Sequence, residues 1–511
     1  MKKVYIYLLT LVVVGCMFTA CSDDMLDTAP STQMSGSELL SSADKAMVPL
    51  NGIYRAMYST GWSVGGNTHQ ASSYIHHVLM ADVMGEGHIM KAQGSGWFWY
   101  DCIYNVKSRY TSKSWRSYDV WNAYYTLVSN ANYILAAEST MQGESAKIKN
   151  VMGQAYAIRA FSYFMLVQNF ARTYKGHEQD PGLPIYTEPT LPETEGQPRS
   201  TVAKVYEQIE ADIDKAVELL KGTERIHISH IDYAVALGLQ ARIAMTMEKW
   251  DKMKTAATTA IEATEANIQK PEDILKGMND QSLSNVMWGA EIIADQSSQW
   301  ASFFTHMDAS AGKYGARARK VINSALYAEM SIKDIRRAWW NPDEKAAAYQ
   351  QEKFKFKGNP KDWMGDYIWM RVEEMYLMKA EAECRLGDNA SAQETLVSLI
   401  KTRDADYKCE KTGTEMGKLT SEKTNSLLEE IIKQRRIELW GEYGRIYDIR
   451  RLRQGFKRTE AMGWPKAALI EKTETQDSES YAWVLTIPQS EFDGNKNMDE
   501  KKDQNPTGDR P

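Results

Sequence analysis

The sequence predicts a mainly α-helical protein, a tetratricopeptide-like helical-repeat scaffold with a loop-rich lobe inserted into it. Three observations lead there. Apolar residues recur at intervals of three and four along most of the 511 residues, the spacing of a buried helix face. Two helical pairs repeat: residues 231–247 with 251–266 about the joint Glu248-Lys249-Trp250, and 368–386 with 390–402 about Gly387-Asp388-Asn389. At a constant offset, Ala241, Ala244 and Ala256 of the first pair correspond to Ala380, Glu383 and Thr395 of the second, and small residues on facing helices permit close packing. Finally, glycine-rich stretches break the pattern twice, at about 58–115 and 270–366, and leave scaffold at about 41–57, 116–266 and 367–511.

Taken in order, Lys2 and Lys3 precede an uncharged run, Val4 to Ala20, which reads as a lipoprotein export signal over 1–20. Cys21, followed by Ser22-Asp23-Asp24, is the expected acylated residue. Cys16, preceded by Val13-Val14-Gly15, fits the small-residue requirement equally well, but the polar leash over 21–40 favours Cys21. The body over 41–511 opens with a helix carrying Ala43, Met47, Leu50, Ile53 and Met57 on one face. Residues 58–115 read as long loops, with many glycines around Trp62, Trp97 and Trp99. Helices are expected from Trp115 to Glu138 and from about Ala146 to Phe170. Pro181, Pro184 and Pro189 then hold an extended stretch. Ser200 or Thr201 caps the helix over 202–220. Gly277, Gly289, Gly312 and Gly315 punctuate the second insertion, 404–422 and 459–480 are polar loops, and 481–488 alternates like an extended segment. Residues 433–453 read as one helix whose Arg435, Arg445 and Arg450 pair with Glu438, Glu442 and Asp448. Arg159, alone on an apolar helix, requires a carboxylate or helix-end carbonyls inside the scaffold.

Net charge is −6, which argues against nucleic acid as a partner. No run after the first twenty residues is long and apolar enough to cross a bilayer. Cys102, Cys384 and Cys409 match no zinc spacing. A Cys384–Cys409 disulfide suits an exported protein, whereas the apolar helical setting of Cys384 favours a buried free thiol. HExxH, GxSxG, Walker and dinucleotide motifs are missing, so no catalytic residue, metal ligand or cofactor is assigned. His69, His76 and His88 with Asp82 form a conceivable metal set, but ordinary loop hydrogen bonds account for them more simply. A glycosidase needs only two carboxylates, and nothing distinguishes Asp82, Glu86 or Asp101 from other acids. The aromatic content is informative: 15 Trp and 27 Tyr against 11 Phe. Such rings stack on the apolar C–H faces of sugars while polar neighbours bind hydroxyls. The candidates in the insertions are Trp62, Trp97, Trp99, Trp300 and Tyr314, with Asn67, Asp82 and Arg317 as polar contacts.

Several segments, in order, carry a resemblance: LDTAPSTQMS, NGIYRAMY, WNAYYTLVSNANYIL, IRAFSYFMLVQNFA before PGLPIY, YIWMRVEEMYLMKAEAECRLG, IKQRRIELWGEYGRIYDIRRL and LTIPQSEFDGNKNMDEKKDQNPTG. Together they are similar to the SusD-like (RagB/SusD) family of outer-membrane nutrient-binding lipoproteins. The resemblance places Arg159, Tyr163 and Phe164 on the family's scaffold helix, and Glu438, Glu442, Gly444 and Arg445 on its C-terminal signature. Phe18 departs from the small or branched residue the family's acylation signal prefers. The resemblance implies four helical repeats, an acyl anchor at Cys21 in the outer membrane facing the cell exterior, and a SusC-like TonB-dependent transporter as partner. It implies capture and delivery of an oligosaccharide or polysaccharide, without bond breakage and without a cofactor. A peptide is the alternative ligand, and glycoside hydrolysis a more distant reading. The family's binding residues sit in variable insertions, so its motifs assign none here.

Overall fold

Helices of seven residues or more, numbered in chain order, are α1 (Ala43–Ala56), α2 (Tyr74–Val83), α3 (Trp115–Ala136), α4 (Ser145–Phe170), α5 (Val202–Leu220), α6 (Tyr233–Thr246), α7 (Trp250–Ala263), α8 (Val372–Arg385), α9 (Asn389–Ile400), α10 (Leu427–Glu438) and α11 (Arg445–Arg451). The structure is a computed structural model that describes residues 36–59, 67–105, 111–470 and 475–507. Cys16, Cys21, the export segment and Trp62 lie outside the described residues. Many helices start on a side-chain cap. Ser42, Thr201, Asp232, Asp388 and Ser426 accept the backbone N–H three residues on, and each cap contributes about 1 kcal/mol.

From α3 to α9 each helix packs against the next in the chain, α1 lies against α3 and α4, and α8 also packs on α10. The fold is mainly α-helical, as expected. The two repeated pairs close in the same way. Glu248 (φ 57°) and Gly387 (φ 85°), at the same offset, both adopt left-handed backbone. Each is followed by an N–H that reaches five residues back, Lys249 to Ala244 O at 2.9 Å and Asp388 to Glu383 O at 3.0 Å, a helix-ending turn that satisfies late carbonyls. The internal similarity in sequence is thus matched by two α-hairpins with one joint geometry.

Several expectations are corrected. Tyr367–Arg371 does not begin a helix; it forms strand β6, antiparallel to β2 (Val286–Ala290), with all residues of both strands buried. An apolar run covered on both faces looks alike as strand or helix in sequence. The segment 433–453 is two helices. The chain breaks at Leu439–Gly444, where Gly444 has φ 90° and a Cβ there would sit 2.9 Å from the Ala81 side chain. Of the three arginine pairings expected in it, Arg435–Asp448 forms (2.9 Å), while Arg445 turns to Glu86 and Arg450 to the Gln168 and Ala171 carbonyls. The region 58–115 is not only loop. All ten residues of α2 are buried, so no polar face supplies a helical period. It also carries β1 (His88–Met90), which pairs with β3 (Lys320–Ile322) of the second insertion. With β4 (Trp340–Asn341) and β5 (Gln350–Gln351) these give one sheet of order β1-β3-β5-β4, which joins the two insertions. Tyr481–Trp483 is a 3₁₀ turn, and the extended residues after it join no sheet. Cys384 and Cys409 are free thiols, Cys384 being buried. Among the described residues no helix is long and apolar enough to cross a membrane.

Buried charge fastens the insertions to the helices. Glu438 is fully buried; its Oε1 accepts from Arg371 and Arg403 (both 3.1 Å) and its Oε2 from Arg336 (3.1 Å) and Arg403 (3.2 Å). Glu373 accepts from Arg403 at 2.9 Å and Glu442 from Arg371 at 2.6 Å. Arg336 also pairs with Asp334 and Lys353 with Glu442. Four cations (Arg336, Lys353, Arg371, Arg403) thus meet four carboxylates (Asp334, Glu373, Glu438, Glu442), and the cluster is neutral. Arg159 has the carboxylate expected of it. Asp212 binds it bidentately at 2.7 and 2.8 Å, and Asn132 and the Thr187 carbonyl complete its contacts, so one guanidinium ties α3, α4 and α5.

Burial opposes ionisation of Glu438, but Arg403, Arg371 and Arg336 outweigh it and hold the carboxyl well below the usual range. Glu438→Gln is expected to lower unfolding free energy by about 3 kcal/mol in urea titration, because it leaves buried guanidinium groups uncompensated. Glu86 is likewise destabilised by burial and held down to about 2 by Arg445 and Arg436. Folded carboxyl pKa values below the unfolded value of about 4.3 give stability that is fully present above that pH and lost as pH falls toward 2. Burial also holds His76, His77, His88, His230 and His306 below the usual histidine range, so the stability of their neutral forms is present above about 6.5 and lost as pH falls below it. Thermal melts should therefore begin to fall below about pH 6.5 and fall further below about 4.

Candidate ligand-binding site

Four short segments, all from the insertions, bring aromatic side chains together. They are Asn67–Gln70 before α2, Gly94–Trp97 after β1, Trp300 before the short helix Phe303–Met307, and the turn Tyr314–Arg317. The His69 and Trp97 rings stack at 5.0 Å and 12°. Trp97 meets Tyr314 edge-on at 6.0 Å, and Trp300 lies 5.3 Å from Tyr314 at 47°. Tyr314 Oη hydrogen-bonds His69 Nδ1 at 2.7 Å. Behind this layer His306 stacks on Tyr314 at 5.1 Å and its Nε2 donates to the His69 carbonyl. Partial burial lowers the pKa of His69, so its ring is neutral at pH 7. Trp300 is 38% exposed, Trp97 half-buried and Tyr314 buried except for an edge. The result is a rigid shelf of rings with Trp300 at its open side.

Gln70 sets the spacing of this shelf. Its Oε1 accepts the Phe98 N–H at 2.8 Å, and its carbonyl accepts from Arg116 Nη1 at 3.1 Å. Arg116 is in turn held bidentately by Asp101 (2.7 and 3.1 Å). One buried amide therefore fixes the residue after His69 to the residue after Trp97. Gly94 (φ 56°) makes the turn that brings the Trp97 loop against the Arg317 turn; a Cβ there would lie 2.9 Å from the Ala318 side chain. Lys313 Nζ lies 4.5 Å from the Trp300 ring and 5.3 Å from the Trp363 ring. Arg317 is exposed, with Nη1 3.4 Å from Ser95 Oγ. The groups available are flat apolar faces, a rim of two cations and hydrogen-bonding edges.

Of the candidates read from sequence, Trp97, Trp300, Tyr314 and Arg317 converge here, and Asn67, whose carbonyl accepts from Gln70 N–H at 3.1 Å, sits half-exposed at the margin. Trp62 lies outside the described residues. Trp99 and Asp82 are corrected to interior positions. Phe98 adopts φ 61° and turns the chain inward, so Trp99 is only 5% exposed. Asp82 is buried at the end of α2, where it accepts from His88 Nδ1 (2.6 Å) and the Arg445 N–H (3.0 Å) that opens α11. The other acids weighed for hydrolysis are paired inside as well, Glu86 with Arg436 and Arg445, and Asp101 with Arg116. His69, His76 and His88 have separate partners: Tyr314, Ser72 with Ser73, and Asp82. Among the described residues no group of three or more His, Cys, Asp or Glu is arranged to hold a metal ion. Sequence reasoning did not select Lys313, Trp363 or His306, nor His69 as a stacking ring. The run Ala309–Ala328, basic and without one acid, was the available signal for Lys313.

Residues 70–245 match the family described as starch-binding associating with outer membrane, and residues 298–507 match the SusD family. SusD-like protein P2 of Formosa agariphila is 24% identical over 375 residues, covering 66% of this chain and 71% of that protein. SusD-like protein P38 of the same organism is 24% identical over 169 residues, 32% of this chain and 30% of that protein, so that match spans less than a third of the relative. Among solved structures, a SusD-like carbohydrate binding protein from Bacteroides vulgatus superposes with TM-score 0.74 at 23% identity, covering 89% of this chain and 97% of that one. Surface glycan-binding protein A from Bacteroides thetaiotaomicron, in complex with laminarihexaose, superposes with TM-score 0.63 at 16% identity, covering 89% and 98%. At these identities the superpositions show the fold alone.

Gln70→Leu is expected to cost about 1–3 kcal/mol of stability, measured by denaturant unfolding, because it strands the buried Phe98 N–H. An unchanged midpoint would mean that the amide does not clamp the two loops.

Proposed function

The chain belongs to the SusD-like (RagB/SusD) family, and from that premise we propose that it is a cell-surface lipoprotein that binds oligosaccharide or polysaccharide and delivers it to a SusC-like TonB-dependent outer-membrane transporter. Cys21 carries the acyl anchor, the leash gives reach, and the row of helices serves as the tetratricopeptide-like frame. The observation that carries this reading is the shelf of His69, Trp97, Trp300 and Tyr314, whose rings are held by one another and by Gln70 while Trp300 keeps an open face. Sugar rings present apolar C–H faces that lie flat on such surfaces, and the polar edges are left to hydroxyls.

The role is capture and release, with no bond made or broken. Each stacked ring contributes about 0.5–1.5 kcal/mol, so several give useful affinity. They stop short of the very slow dissociation that would stall handover to a transporter. A prepared shelf also lowers the ordering cost of binding.

In calorimetry with a glycan that the protein binds, Trp300→Ala and Trp97→Ala are each expected to weaken affinity about tenfold, the loss of one stacking partner. Trp300→Ala should leave the unfolding midpoint nearly unchanged, since that side chain is partly exposed. Unchanged affinity in both variants would sink the assignment of the shelf. A peptide bound in place of every glycan would favour the alternative ligand.

A further inference from the structure

The two cations on the shelf lack the acidic partner that several neighbouring cations have. Arg319 lies 3.9 Å from Glu344, Lys355 pairs with Glu352, and Lys357 lies 2.7 Å from Asp280. Among the described residues no carboxylate comes within 4.0 Å of Lys313 or Arg317. The segments that build this rim are free of acids: Gly87–Tyr100 contains none, and Ala309–Ala328 contains Lys313, Arg317, Arg319 and Lys320 and none. This stands out in a chain of net charge −6. Local positive potential beside an uncharged stacking surface is therefore built into two separate segments that the fold brings together.

We propose that the shelf takes an acidic oligosaccharide, one whose sugars carry carboxylate or sulfate groups, with Lys313 and Arg317 as the residues that read the charge. The proposal rests on the reading of the shelf as a glycan site and names the class of glycan. Lys313 is prepared for the task. Its ammonium lies over the Trp300 ring and beside the Trp363 ring, so its long side chain is already ordered and partly stripped of water. A sugar lying on Trp300 would present an equatorial acidic group to that ammonium. Arg317, exposed beside the Gly94–Gly96 turn, offers a planar fork that matches carboxylate and sulfate oxygens. A neutral glycan would use the rings and leave both cations unanswered.

The test compares three probes in calorimetry with the purified protein: oligogalacturonate for carboxylate, carrageenan oligosaccharide for sulfate, and neutral laminarihexaose. At least one acidic probe is expected to bind about tenfold or more tighter than the neutral one, and to weaken as salt rises from about 50 to about 500 mM. Lys313→Gln with Arg317→Gln should weaken the acidic probe about tenfold or more and the neutral one by much less, and Lys313→Arg with Arg317→Lys should restore most of the binding. Which acidic probe responds distinguishes carboxylate from sulfate. Tighter binding of laminarihexaose, or an acidic probe indifferent to the double variant, would overturn this inference and leave the glycan reading intact. If no probe binds and Trp300→Ala changes nothing on a wider glycan array, the glycan reading itself fails.

Discussion

Glu438 is the point on which the two halves of the chain are hung. Its carboxylate, sealed from water, is shared by Arg336 from the second insertion, Arg371 from the edge of β6 and Arg403 from the end of the α9 hairpin. A single buried carboxylate facing three guanidinium groups is unfavourable unless the surroundings restore neutrality, and Asp334, Glu373, Glu442 and Lys353 do so. Such a cluster tolerates little displacement, because any member that withdraws leaves a charge without a partner in a dry place. An apolar contact of the same size would permit sliding; this one fixes the insertion in both position and orientation relative to α8 and α10.

The same device recurs between that anchor and the ring-bearing surface. Arg242 joins α6 to Glu374 of α8; Arg435 bridges Glu374 to Asp448 of α11; Arg451 continues to Glu381. At the other end Arg445 binds Glu86 beside β1, and Arg458 donates to the carbonyls of Val83, Met84 and Gly85 that end α2. Arg116 and Asp101 then hold Gln70, and Gln70 holds the loops of His69 and Trp97. Loops rich in glycine are poor in contacts of their own, so their geometry is borrowed from the helices through these guanidinium groups. A binding surface made from insertions can thereby vary in side chain while its backbone stays in place.

The helical frame was legible because its signal is periodic. Caps such as Thr201 and Asp388, small residues such as Ala241 and Ala380, and the need of Arg159 for a carboxylate are all local or nearest-neighbour facts. What was not legible depended on long-range burial. Helix α2 is enclosed on every side and so has no polar stripe, and Tyr367–Arg371 owes its strand to Val286–Ala290, some eighty residues earlier. Gly441 and Gly444 marked the break between α10 and α11, but the charge alternation through them looked like continuous helix. In the candidate site, composition pointed to stretches that the fold brings together, and among them to Trp97, Trp300, Tyr314 and Arg317. It could not separate Trp97 from Trp99, two residues apart, because the separation comes from the left-handed backbone at Phe98. Nor could it tell that Asp82, in a loop-like sequence, is the interior partner of His88 and Arg445.

In the function proposed above, these insertions hold one prepared aromatic surface for a sugar chain. A crystal structure of the protein with a bound oligosaccharide tests it most directly. A sugar ring is expected to lie against Trp300, flanked by Trp97 and Tyr314, with the shelf backbone unmoved from its unliganded position. A ligand seated elsewhere, with those three rings untouched, would contradict it.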